Sequence, residues 1–201
     1  MHDYSEGLVS LDTETLAHVH NGIILSVGIC FHPWAKPNLD NMKKNSINFK
    51  LDVADQIKNY GFVTRQSVVD WWKEQDKEAK KILLPSSDDI KLADLPKAID
   101  DWFLSIGVKW RKCDTFDRKA YDINRLQYIY EDVLGISTPW NHGHVYEFGT
   151  ALAFMGSDRY GGIREPSSID PSFIYHNSRD DAIVDAYRLL NQMDKNGVLD
   201  S

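Results

Sequence analysis

The sequence predicts an α/β fold: a central mixed sheet whose first three strands run antiparallel, flanked by helices. Apolar, β-branched runs at residues 7–14, 22–31 and 45–51 are joined by connections short enough for antiparallel neighbours. From residue 67 onward, the apolar spacing changes to every third or fourth position, the period of amphipathic helices. With 42% hydrophobic residues among 201, the chain can bury one sizeable core, so a single domain over residues 1–201 is expected.

Each element has its own signal. "GLVSLDTE" opens the sheet, "GIILSVGICF" follows, and "NSINFKL" makes the third strand. "SVVDWWKEQDKEAKKILL" reads as one helix opened by a capping box of Ser67 and Asp70, with Val68, Trp71, Trp72, Ala79 and Ile82 near one face. A second helix begins near Pro96 and stops at Gly107, and "VKWRKC" at 108–113 suits a fourth strand. From Asp122, the residues Ile123, Leu126, Ile129, Tyr130, Val133 and Leu134 form a helical stripe closed by Gly135. A shorter helix falls near "YEFGTALAFM". The last runs from Ser178, with Ala182, Ile183, Ala186, Tyr187, Leu190 and Met193 on one side, and ends before Gly197.

Composition narrows the function. Thirty acidic against 23 basic side chains give a net charge of −7, which argues against a protein that coats nucleic acid by neutralising phosphates. An enzyme that handles phosphodiesters locally through metal ions is compatible with that charge. Cys30 and Cys113 lack zinc or disulfide spacing, so a reducing, cytoplasmic setting is expected. The polar start "MHDYSEG" does not look like a secretory signal, and no apolar run approaches the roughly 20 residues of a membrane span.

Asp12 and Glu14 stand two apart at the end of an apolar strand, so both point to one face. Two anions held that close disfavour joint ionisation unless a cation sits between them. "YHNSRDD" adds His176 five residues before Asp181; by itself, this is an ordinary helix start with Ser178 and Asp181 at capping-box spacing. Of the two adjacent tryptophans, about 100° apart on a helix, one suits the core and the other a surface anchor or base-stacking platform. His142 and His144 read as loop residues near the cleft, and Arg111, Lys112, Arg118 and Lys119 as residues that could guide phosphates.

Strand carboxylates, an Asp opening a mid-chain helix and a final H-x-x-x-x-D together resemble the DEDDh 3′-to-5′ exonucleases. The segments that carry the likeness are "LDTETL", "TRQSVVDWWKEQDKEAKK", "KWRKCDTFDRKAYDINRL" and "HNSRDD", over residues 8 to 190. Within that superfamily, the chain looks most like the phage exonuclease A group, with a related bacterial 3′-to-5′ exoribonuclease group beside it. The resemblance implies an RNase H-like fold and two Mg²⁺ or Mn²⁺ ions, hard cations that suit carboxylates. It makes Asp12, Glu14 and Asp181 ligands, His176 the general base, and Thr13 and Thr15 contacts to the terminal nucleotide. The third ligand is Asp117 by spacing from Trp110 or Asp122 by helix periodicity, with Asp122 favoured because Leu126, Ile129 and Tyr130 then face the core. The implied substrate is nucleic acid with a free 3′ end, cut to nucleoside 5′-monophosphates. Single-stranded DNA is favoured by the phage likeness, with RNA open. The alternative is a catalytically inactive nucleic-acid-binding or adaptor protein on the same fold.

Overall fold

The computed structural model describes residues 5–199; the first residues of the polar N-terminal stretch lie outside them. Five strands form one mixed sheet in the order β3-β2-β1-β4-β5. They are β1 (Leu8–Thr15), β2 (Ile24–His32), β3 (Ser46–Lys50), β4 (Asp114–Asp117) and β5 (Val145–Glu147). The first three pair antiparallel, whereas β4 lies parallel to β1 and β5 parallel to β4. The helices are α1 (Leu39–Lys44), α2 (Val53–Tyr60), α3 (Gln66–Glu74), α4 (Leu95–Ser105), α5 (Tyr121–Gln127), α6 (Phe148–Phe154) and α7 (Ser178–Lys195).

Strand alternation divides the core between the two faces of the sheet. On one side, Val9, Leu11, Val27 and Ile29 pack with Ile99 and Phe103 of α4 and Ile123 and Leu126 of α5. On the other, Leu8, Cys30 and Phe116 pack with α6 and with Ala182, Ile183, Ala186 and Leu190 of α7. Asp12 and Glu14 share the parity of Leu8, so β1 turns its carboxylates to the α7 side.

Several elements depart from the sequence expectation. The fourth strand is at Asp114–Asp117, not at 108–113, where Trp110–Lys112 make a 3₁₀ turn. That turn drives the Trp110 indole inward, 5.1 Å from the Phe103 ring and 5.0 Å from Trp140, with its Nε1 donating to Thr115 at 2.8 Å. The long helix from residue 67 breaks at Gln75, which is extended, and resumes as a 3₁₀ turn over Ala79–Leu83. Burial of Ala79 beside Leu25, Val68 and Trp72 outweighs the helix propensity of "KEQDKEAKK". The predicted capping box is absent: Arg65 precedes α3, and Asp70 accepts from Lys73 and Gln66 on the surface. The helix from Asp122 starts one residue earlier and widens into a π turn at Tyr128–Val133. Asn177, not Ser178, caps α7 by accepting the Asp180 N–H at 3.3 Å.

Gly28 sets the distance between sheet and helix. It is the β2 partner of Asp12, and a Cβ there would lie 2.1 Å from the Ser178 carbonyl and 2.3 Å from the Arg179 nitrogen. Only glycine lets the first turn of α7 rest on the sheet at this point. Next to it, Ser26 Oγ and Ser178 Oγ share a 2.8 Å hydrogen bond. No helix among the described residues is long and apolar enough to cross a membrane.

Candidate active site

The carboxylates converge at the end of β1. Asp12 and Glu14 come from the strand, Asp122 from the first turn of α5 and Asp181 from the first turn of α7. Burial raises the Asp12 carboxyl well above the ordinary range, and repulsion from Asp122, Glu14, Asp181 and Asp185 raises it further. Glu14 is pushed up by burial and then by Asp181 and Asp122. Asp181 is lifted to about 7 by burial and by Asp185, against the pull of the His176 N–H and Arg188. Glu14, His176 and Asp181 each offer a ligand atom within 4.8 Å of the others'. A pocket of buried acids, in which two carboxylates and an imidazole bring ligand atoms together, suits a divalent cation.

Asp117 and Asp122 take different positions. Asp117 is fully buried at the end of β4, where its Oδ2 accepts the N–H groups of Asp122 and Ile123, both at 3.0 Å. Burial and then the charge of Asp122 raise it to about 9. Asp122 turns instead towards β1, accepting the Thr13 backbone N–H at 3.1 Å and the Thr13 hydroxyl, and its field reaches Asp12. Asp122 therefore adjoins the β1 carboxylates, with Asp117 behind it holding the start of α5.

His176 is half-buried with a left-handed backbone, φ 62°. Its N–H donates to Asp181 Oδ2 at 3.0 Å, which ties the loop to α7. Tyr175 and Trp71 enclose the ring edge-on at 4.4 and 4.7 Å, and burial lowers its pKa below the ordinary histidine value. A non-glycine residue in this conformation stores of order 1 kcal/mol or more of strain, a common feature of functional sites.

The tryptophans divide as expected. Trp72 is 1% exposed and donates to the Thr15 carbonyl at 2.9 Å, whereas Trp71 is 40% exposed. Trp71 borders a cavity of about 430 Å³ shared with Thr13, Glu14, Thr15, His18 and Tyr121. His144 is away from this site: its Nδ1 meets Asp114 at 2.8 Å, and Asp114 pairs with Leu8 at the opposite end of β1 from Glu14. His142 contacts Thr138 at 3.1 Å and is not in the acidic cluster either. Arg118 is engaged by Asp185, its Nε 3.1 Å from Oδ2.

Asp185 went unnoticed in the sequence. It lies one helical turn beyond Asp181, on the same face of α7, and is held by Arg118 and by Arg188 at 2.9 Å. Its spacing of four residues from Asp181, which the resemblance already made a ligand, was its available signal.

No curated protein sequence matches the chain. Among solved structures, Pop2p of S. pombe in a Mg²⁺- and Mn²⁺-bound form is similar at 13% identity and a TM-score of 0.57, covering 96% of this chain and 85% of that one. The nuclease domain of 3′hExo, a DEDDh family member solved with rAMP, is similar at 12% identity and a TM-score of 0.56, covering 98% and 96%. These likenesses establish the shared RNase H-like fold. The sequence itself matches the family model of the Rv2179c-like 3′-5′ exoribonuclease domain over residues 8–191, nearly its whole length, and the chain therefore belongs to that family of 3′-5′ exonucleases.

Proposed function

We propose that this protein removes nucleoside 5′-monophosphates one at a time from the 3′ end of single-stranded RNA, with two Mg²⁺ or Mn²⁺ ions held by Asp12, Glu14, Asp122 and Asp181. The observation that carries this reading is geometric: Glu14, His176 and Asp181 bring ligand atoms within 4.8 Å of one another, and Asp122 reaches β1 between the two strand carboxylates by accepting the Thr13 N–H at 3.1 Å. Without cations, such an arrangement costs stability and gains nothing. Divalent ions held by these residues would make an attacking water more acidic and offset charge on the departing 3′ oxygen.

The chain's own groups supply the rest. His176 takes the proton of the attacking water; burial keeps its imidazole neutral near pH 7, the form that can accept. The Asp181 carboxylate, through the His176 N–H, fixes the loop that carries the ring. Thr13 and Thr15 border the cavity next to Glu14, where the terminal nucleotide would lie between Trp71 and Tyr121. RNA is proposed over the DNA that the phage likeness favours, because the matching family is described as exoribonuclease.

The test uses matched 5′-labelled RNA and DNA strands with Mn²⁺ or EDTA. The expected result is a ladder shortening by single nucleotides, faster on RNA, absent in EDTA and absent with Asp12→Ala. A strand shifted on a gel yet left intact would sink the proposal.

A further inference from the structure

A second cavity, of about 370 Å³, adjoins the nucleotide pocket across the pair His18 and Tyr121, which border both. The two side chains meet through His18 Nδ1 and the Tyr121 hydroxyl at 2.9 Å. The remaining lining is Val19, His20, Lys119, Ala120, Asn124 and Arg125, so the cavity is basic where its neighbour is acidic.

Arg125 is the informative group. It is 2% exposed, and its guanidinium lies 4.3 Å from the Tyr121 ring centroid. Nη2 donates to the Ala17 carbonyl and the Tyr121 hydroxyl. Nε and Nη1 have no partner among the described residues. Leaving buried donors unmade costs roughly 1–3 kcal/mol each, and more on a charged group. No carboxylate lies within ion-pair distance of Arg125, Lys119 or His20 among the described residues, and only the Asp122 carboxylate acts on Arg125 through space. The basic cavity beside His176 is different, because Lys50 is held by Asp89 at 2.8 Å and Lys81 by Glu78. A planar guanidinium with two unpartnered buried donors, in the wall of a cavity that a lysine also lines, matches the oxygen fork of a phosphate.

We propose that this cavity is a phosphate subsite that holds a non-scissile phosphate of the bound strand, with Arg125 as its buried anchor and Lys119 at its rim. The inference rests on the nucleic-acid reading of the adjoining pocket.

Equilibrium binding of fluorescent tetranucleotides, with Ca²⁺ replacing the catalytic ions, tests it at several salt concentrations. Lys119→Asn is the first variant, since residue 119 has φ 63° and asparagine tolerates that backbone. Losing one phosphate contact lowers the slope of log K against log salt by about 0.7 for a single strand, with a severalfold loss of affinity. Arg125→Gln, checked for folding by circular dichroism, should do the same. Uridine 5′-(p-nitrophenyl phosphate), which has only one phosphodiester, should bind the parent and Lys119→Asn equally. A reduced slope on a 3′-hydroxyl strand assigns an internal phosphate, and one confined to a 3′-phosphorylated strand assigns the terminal phosphate. An unchanged slope on both strands for Lys119→Asn and folded Arg125→Gln overturns the subsite. Failure of the parent enzyme to cut RNA with Mn²⁺ would remove the exonuclease reading but leave this binding comparison intact.

Discussion

Asp117 and Asp122 carry the same functional group five residues apart, and their hydrogen bonds separate them. Asp117 accepts two N–H groups and sits against the Asp122 carboxyl, whereas Asp122 faces the β1 acids with its charge. Asp117→Asn keeps an acceptor oxygen and should cost at most about 10- to 100-fold in cleavage, the usual scale for a residue that supports a ligand. Asp122→Asn should bring cleavage of labelled RNA below detection while leaving the fold intact. Equal loss from both would refute the division of roles. His176 allows a second prediction at this scale. A base works only when neutral, so the rate should rise with pH through the His176 pKa, and burial places that limb below the reference value of about 6.5. A pH profile of kcat with and without His176→Gln reads it: the limb should vanish in the variant. Residue types and their order were readable in the sequence here, because a carboxylate pair on one strand face is a local pattern. The partners of Asp117 were not, since they depend on where β4 ends.

The close approach of α7 to the sheet depends on one small residue. With Gly28 replaced by alanine, the new Cβ would meet the backbone of Ser178 and Arg179, which cannot swing away as a flexible side chain can. Gly28→Ala should therefore destabilise the protein by about 1–3 kcal/mol or more, measured by urea unfolding, and lift Asp181 away from Asp12. Cleavage should fall more than stability at temperatures where the variant remains folded; full activity would show that α7 tolerates the shift. This contact was invisible in the sequence, where "SVGIC" reads only as strand. The strands of the first half and the long stripe of α7 were readable because each has its own period and a clear stop. β4 was misplaced because its four buried residues include two acids, Asp114 satisfied by His144 and Asp117 by the start of α5. Tertiary partners turned a polar segment into a central strand, and local hydropathy cannot report that. The same limit hid α1 and α2, two short helices packed beside the sheet.

Across the whole molecule, the acidic cluster ties folding to pH, and the cation site proposed for it predicts a dependence on divalent ions as well. Asp12, Glu14, Asp117, Asp122 and Asp181 all have pKa values raised above those of the unfolded chain, Asp181 to about 7 and Asp117 to about 9. Between the unfolded value near 4 and these folded values, the native state binds more protons than the unfolded one, so stability falls as pH rises. His32 and His176, whose pKa values are lowered, act in the opposite sense near and below pH 6.5. Two imidazoles oppose five carboxyls, and above about pH 6.5 the imidazoles are neutral in both states. Glu147 and Asp170, held low by hydrogen bonds, contribute stability that is lost only in more acidic solution. The metal-free protein in EDTA should therefore melt at a lower temperature at pH 8 than at pH 6. Divalent cations that bind only the folded state reverse this: at 100 times the dissociation constant they add about 2.7 kcal/mol. For a chain of this size that amounts to a rise of roughly 5–10 °C. Calorimetry at both pH values, with and without Mn²⁺, measures it, and Asp12→Asn should weaken both the pH slope and the response to the ion. A melting temperature indifferent to Mn²⁺ at pH 8 would mean that these carboxylates do not form a cation site.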